Sequence, residues 1–211
     1  MLQQTTESPE KSPTSLHRVT VYAASSDAID PHYFPAAAAV GRALAEAGLE
    51  IVYGGGGTGL MGAMAGGALA VGGEVHGITP GFLRDMEVSH EGLTSLRVVE
   101  DMRTRKHLML EGSDAVVTLP GGCGTYEEVF EAMTLKRLGR WLGPIVLVNT
   151  GGFYDRLQDF LEHSVAERFM GQQHADLWQT VSEPHEVVPA LQSAPAWGED
   201  ALQHATVRAD G

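Results

Sequence analysis

Between residues 17 and 192 the chain alternates two hydrophobic patterns. Val19 to Ala23, Leu49 to Tyr53, Val75 to Thr79, Ala115 to Leu119 and Ile145 to Val148 are short, largely apolar runs, the signature of strands buried on both faces of a parallel sheet. Between them apolar residues recur at helical spacing. Pro35 to Ala47 places Ala36, Val40, Leu44 and Ala47 on one face and stops at Gly48, a residue suited to end a helix. Leu60, Met64, Ala68 and Val71 repeat the pattern before Gly72-Gly73, while Asp101 to Glu111 precedes Gly112 and Thr125 to Leu138 precedes Gly139. Further helices are predicted from Phe153 to Phe169 and from Pro184 to Leu191. Strand and helix in alternation, joined by right-handed crossovers, predict one α/β domain: a doubly wound parallel sheet with helices on both faces. Residues 1–16 and 193–211 are polar, lack sustained periodicity, and read as flexible tails.

Composition narrows the partners. Apolar residues are 43% and charged residues 19% of 211 residues, as expected of an ordinary globular domain. With 14 Lys+Arg against 27 Asp+Glu the formal charge is −13, which argues against nucleic acid, whose phosphates need a basic face. The one cysteine, Cys123, cannot make an internal disulfide, and the chain opens without a cationic start or apolar centre; a cytoplasmic protein is expected. Ile51 to Gly73 is uncharged and long enough to span a bilayer, but ten of its residues are glycine, so a glycine-rich loop and a small-residue helix are expected instead and no membrane contact.

Glycine is the unusual quantity: 26 in the chain, with ten between Gly54 and Gly73, against a usual share of roughly 7%. Two clusters follow predicted strands, where doubly wound sheets bind ligands. In the first, Gly54, Gly56 and Gly59 fit G-x-G-x-x-G, yet Glu74 precedes the next strand rather than ending it, so the acidic residue of a dinucleotide site is out of place. Gly62, Gly66 and Gly67 also fit a purely structural reading, in which they let the helix pack closely on the sheet. The second cluster is sharper. Pro120-Gly121-Gly122-Cys123-Gly124-Thr125-Tyr126-Glu127-Glu128 ends a strand, frees the backbone to approach a ligand and opens a helix, an arrangement suited to phosphate. Its carboxylates have two readings at this point. Thr125-x-x-Glu128 is a capping-box pattern, and a carboxylate beside a bound phosphate ester is also placed to act on a cation developing at a sugar carbon.

Arg103, Arg105 and Lys106 crowd one helix of this acidic chain. Arg105 and Lys106, adjacent on a helix, project about 100° apart and can reach two parts of an anionic ligand. Only three lysines exist, the nine histidines lack metal-ligand spacing, and there is no G-x-S-x-G elbow; no metal and no cofactor is expected, and serine hydrolysis is disfavoured.

Three motifs, in order, then resemble one family. Tyr53 to Gly62 is similar to Y-G-G-G-x-x-G-L-M-G, Met102 to Lys106 to M-x-x-R-K, and Pro120 to Glu128 to P-G-G-x-G-T-x-E-E. These are signatures of the LOG (Lonely Guy) family of cytokinin riboside 5′-monophosphate phosphoribohydrolases, long labelled lysine decarboxylases. The resemblance implies a Rossmann-like fold, a homodimer or larger homo-oligomer, and no metal. It also implies hydrolysis of the N-glycosidic bond of AMP or an N6-substituted AMP to free base and ribose 5-phosphate. Carried over by motif, Arg105 and Glu128 are the catalytic pair; Gly121, Gly122, Gly124, Thr125 and Glu127 line phosphate and ribose, with Lys106, Gly55 and Gly56 also on the substrate. Glu87, eighteen residues before Arg105, matches a glutamate on the base side, and Thr134 a threonine on the helix after the loop. Four positions depart from the pattern: Ala24 replaces a glycine in Tyr22-Ala23-Ala24-Ser25-Ser26, Leu135 a tryptophan, Arg137 a glutamine, and Cys123 a residue often aromatic. They leave the catalytic pair intact and bear on the choice of base. A non-catalytic nucleotide or cofactor carrier of the same fold, like the molybdenum cofactor carriers, is the alternative reading.

Overall fold

The five apolar runs all become strands. In the computed structural model, which describes residues 16–84 and 90–205, they are β1 (Arg18–Tyr22), β2 (Glu50–Tyr53), β3 (Val75–Pro80), β5 (Ala115–Thr118) and β6 (Ile145–Val148). Two further strands, β4 (Ser95–Val99) and β7 (Gln179–Val181), complete one parallel sheet among the described residues, in the order β4-β3-β2-β1-β5-β6-β7. Both extra strands are edges, and the sequence pattern misses them for that reason. β4 is mostly exposed and β7 has three residues, so neither needs the continuous apolar run of a strand buried on both faces.

Helices α1 (Tyr33–Glu46), α2 (Gly59–Leu69), α4 (Met102–Leu110), α5 (Cys123–Arg137), α6 (Asp155–Ala166) and α7 (Val187–Ser193) fall where the periodicity puts them, and α3 (Gly81–Arg84) is a single turn. The period of two along each strand sorts the core into two layers. Val19, Val21, Ile51, Val117 and Val146 face α1 and α2, packing on Val40, Leu44, Leu60 and Met64. Tyr22, Val52, Val116, Ile145 and Leu147 face the other way, against Met109, Leu110, Val129, Ala132 and Met133 of α4 and α5. Gly48 and Gly139 end α1 and α5 with φ of 75° and 67°, which glycine adopts without the Cβ penalty.

Some of the first glycine cluster serves helix packing, although not against the sheet as expected. A Cβ on Gly67 would stand 2.0 Å from the Ala38 carbonyl oxygen, and one on Gly41 2.0 Å from that of Met64. These glycines let α1 and α2 approach each other. Gly62 is closed in by the Gly57 backbone, at 2.2 Å from its would-be Cβ, and among the described residues Gly66 has only the His90 ring nearby, at 3.6 Å. The stretch tested as a membrane span is β2, a loop and α2, and no described helix is long and apolar enough to cross a membrane.

Part of the segment read as a C-terminal tail is seated on the domain. Residues 199–204 form a 3-10 turn, Ala201 and Ala205 are buried, and the Trp197 ring covers the Lys136 ammonium at 5.7 Å. Burial pushes the Lys136 amine down to about 8, with Asp176 opposing the shift.

Candidate active site at the switch point

The strand order reverses between β1 and β5, so the loops leaving their C-terminal ends diverge and open a crevice. Hydrogen bonds tie its rims together: Ala24 N–H to Pro120 C=O at 3.1 Å, Met61 N–H to Ala24 C=O at 3.1 Å, and Thr58 Oγ1 to Ser25 C=O at 2.8 Å. Ala24 has an ordinary negative φ, since Arg168 is the one non-glycine residue with positive φ among the described residues. The backbone here therefore does not require the family's glycine.

The second glycine cluster forms the end of α5. The helix starts at Cys123 with Gly122 as its N-cap and no side-chain cap, two residues earlier than expected. That start removes the capping-box reading, because Thr125 lies inside the helix and Glu128 has no N-cap N–H to accept. The first intrahelical bond runs from Tyr126 N–H to Gly122 C=O at 3.0 Å, so the N–H groups of Cys123, Gly124 and Thr125 face out of the helix end, where an anion is favoured.

The three loop glycines have different causes. At Gly121 a Cβ would stand 2.1 Å from Thr125 Oγ1, whereas at Gly122 and Gly124 it would meet no atom of the described residues within 4 Å. The described residues thus explain Gly121 and give no packing reason for glycine at the other two. Gly124→Ala should accordingly change the unfolding free energy by less than about 1 kcal/mol, alanine being the better helix former, while raising KM for a nucleotide at least about tenfold. Thermal unfolding and initial-rate kinetics on the same preparation check the two halves.

Arg105 and Lys106 diverge as adjacent helical residues must. The Arg105 side chain runs under the first glycine loop, 7% exposed, with Nε donating to Ile78 C=O at 3.1 Å and Nη2 to Gly54 C=O at 3.3 Å. Nη1 meets the Met102 sulfur at 3.7 Å. A Cβ on Gly54 would stand 2.0 Å from Nη2, so this glycine makes space for the arginine. Gly55, at φ 83°, is set by packing against Leu96 and Gly77, and Gly56 is buried beside it.

Lys106 points across to α5, ion-paired with Glu127 and, at 3.1 Å, with Glu131. These hydrogen bonds hold its amine above the usual lysine range. Glu128 points inward instead. It is 9% exposed, its carboxylate accepts no hydrogen bond among the described residues, and burial pushes its carboxyl up to about 7 against the pull of Arg105. Lys106 also draws it down, and Glu127 and Glu131 push it up. Below it Tyr22, in register with Thr118 at the end of β1, is kept protonated above the usual phenol range by burial and by Glu128.

One chain thus brings Arg105, Lys106, Gly121, Gly122, Gly124, Thr125, Glu127 and Glu128 to the same end of the sheet. Thr134 is exposed on α5, nine residues past Thr125, or about 13 Å along the helix, and does not join them. Glu87 lies outside the described residues. Cys123 is exposed at the loop. Sequence reasoning placed Gly54 in a glycine motif without foreseeing that it makes room for Arg105, and it missed Glu131, whose signal was its place one helical turn after Glu127.

A doubly wound parallel sheet with a glycine loop, an open helix end, Arg105 and Glu128 at its switch point defines a Rossmann-like fold. The profile of the family described as "Possible lysine decarboxylase" matches residues 61–191, more than half the chain. A cytokinin riboside 5′-monophosphate phosphoribohydrolase of Rhodococcoides fascians is 43% identical over 167 residues, 79% of this chain and 84% of that protein. One from Arabidopsis thaliana, LOG7, is 36% identical over 76% of this chain and 74% of its own. The chain belongs to this LOG family. Among solved structures, that of TM1055 superposes with a TM-score of 0.64 at 25% identity, covering 82% of this chain and 97% of the other. The molybdenum cofactor carrier protein of Chlamydomonas reinhardtii gives 0.66 at 19% identity, over 85% and 98%, a likeness of fold alone.

Proposed function

We propose that this protein is a phosphoribohydrolase that takes a nucleoside 5′-monophosphate, AMP or an N6-substituted AMP, and releases free base and ribose 5-phosphate. The observation carrying this reading is Glu128: a buried carboxylate without a hydrogen-bond partner among the described residues, beside Arg105 and next to a helix end open to phosphate. The phosphate sits on the N–H groups of Cys123, Gly124 and Thr125, which places the ribose toward Glu127 and Glu128. As the bond from C1′ to the base nitrogen lengthens, positive charge builds at C1′ and the ring oxygen, as in glycoside cleavage. The Glu128 carboxylate stabilises that cation or orients the attacking water. Arg105, anchored by two backbone carbonyls, keeps N–H groups free to hold the substrate and assist departure of the base. Water adds to C1′, and its proton balances the base that leaves.

The active form is a homodimer or larger homo-oligomer. Supporting this is a groove of about 880 Å³ between α4 and α5, lined by Leu110, Leu135 and Trp141 among polar residues, with Phe130 of α5 also partly exposed.

Two measurements follow. Purified protein incubated with AMP and with isopentenyladenosine monophosphate should release free base from at least one; tight binding without base release identifies a carrier and overturns the reading. With AMP, kcat/KM should climb as pH rises from about 5.5 to about 9, with a midpoint near 7, because only ionised Glu128 stabilises the cation. A rate that falls across this interval would mean that the protonated acid is the active form.

A further inference from the structure

We propose that Glu131 is a positioning residue of the reaction: with Glu127 it holds the Lys106 ammonium in a two-carboxylate clamp that fixes α4 to α5 alongside Arg105 and Glu128. The proposal rests on the hydrolase reading and extends it to a residue with no place in the P-G-G-x-G-T-x-E-E loop.

Its basis is how the two helices are joined. Arg105 and Lys106 are neighbours on α4, and Glu127 and Glu128 are neighbours on α5. The inner pair, Arg105 and Glu128, makes no direct bond: Arg105 donates to Ile78 and Gly54 and contacts Met102. The outer set does the joining, since Lys106 pairs with Glu127 and with Glu131 at 3.1 Å. Glu127 and Glu131 are four residues apart and share one face of α5, so the ammonium lies between two successive turns. The Lys106 side chain is only 15% exposed, against 55% for Glu127 and 45% for Glu131. A single surface ion pair contributes little, but a partly buried cation fixed by two carboxylates has fewer arrangements open to it.

Every charge in the clamp also acts on Glu128. Arg105 and Lys106 from α4 favour its ionised form, Glu127 and Glu131 on α5 oppose it, and the Tyr22 phenol lies beneath from β1. Removing Glu131 and removing Lys106 therefore shift the Glu128 titration in opposite directions. A brace acting by packing alone has no such sign.

The test uses the full chain with ¹³C-labelled glutamate carboxyls, titrated by NMR without substrate, alongside AMP hydrolysis. In Glu131→Gln the Glu128 midpoint should fall by roughly half a pH unit, and in Lys106→Met rise by a similar amount. In Glu131→Gln kcat should drop about fivefold with KM within about twofold, while Glu131→Asp, which keeps the charge, stays within about twofold of wild type. An unchanged midpoint and kcat in Glu131→Gln overturns the proposal, as do midpoints that move the same way in both variants. A wild type that releases no base from any nucleotide overturns the hydrolase reading, while the titration still decides whether the clamp exists.

Discussion

Glu128→Gln should give a folded protein in which AMP hydrolysis has fallen about 10²–10⁴-fold, the range expected when a group acting on the transition state is neutralised. Glutamine keeps the shape, so loss of rate cannot come from loss of a cap; α5 is capped by Gly122 without any side chain. The substitution should also stabilise the protein at alkaline pH. Since the folded carboxyl titrates near 7 rather than at its ordinary 4.5, the folded state holds an extra proton between those values. Its stabilising contribution is complete below about 4.5 and lost as pH rises through 7. At pH 8 the wild type therefore carries a buried charge that the variant lacks, and Glu128→Gln should be more stable there by roughly 1–3 kcal/mol, the difference closing below about pH 4.5. Urea unfolding at the two pH values measures it. A less active yet more stable variant is the mark of a functional carboxylate; undiminished activity would make Glu128 a bystander.

Arg105→Lys should be nearly as damaging although the charge is kept. The guanidinium reaches Ile78 C=O with Nε and Gly54 C=O with Nη2, and a single ammonium cannot reproduce that fork. One buried carbonyl is left without its donor, at about 1–3 kcal/mol of stability. The cation also moves away from the position where Gly54 lets it lie, and hydrolysis should fall about 10²–10³-fold. Denaturation and steady-state rates on one preparation check both. Full activity in the lysine variant would mean that Arg105 acts through charge alone.

The sheet was readable where strands are buried twice. β1, β2, β3, β5 and β6 announced themselves through apolar runs, whereas Ser95–Val99 and Gln179–Val181, covered on fewer sides, carry little pattern. The candidate site is legible as motifs but not as contacts. Arg105 and Glu128 stand out in the sequence, yet Gly54 lies 51 residues from Arg105, and only the reach of the Arg105 side chain to the Gly54 carbonyl makes one explain the other. Thr125-x-x-Glu128 illustrates a different difficulty. The same four residues fit a cap or a first inward turn, and the choice depends on whether the helix begins at Thr125 or at Cys123. The charge of −13 likewise says little about a site where Arg105 and an open helix end supply the local field. At physiological ionic strength exposed charges are screened over about 8 Å.

The most direct measurement is the product analysis of AMP turned over by the wild-type protein in ¹⁸O-labelled water. Free adenine and ribose 5-phosphate in equal amounts, with the label on C1 of the sugar and no inorganic phosphate, is the predicted result. Inorganic phosphate with intact adenosine, or AMP bound and recovered unchanged, would contradict the assignment of Arg105 and Glu128 to cleavage of the N-glycosidic bond.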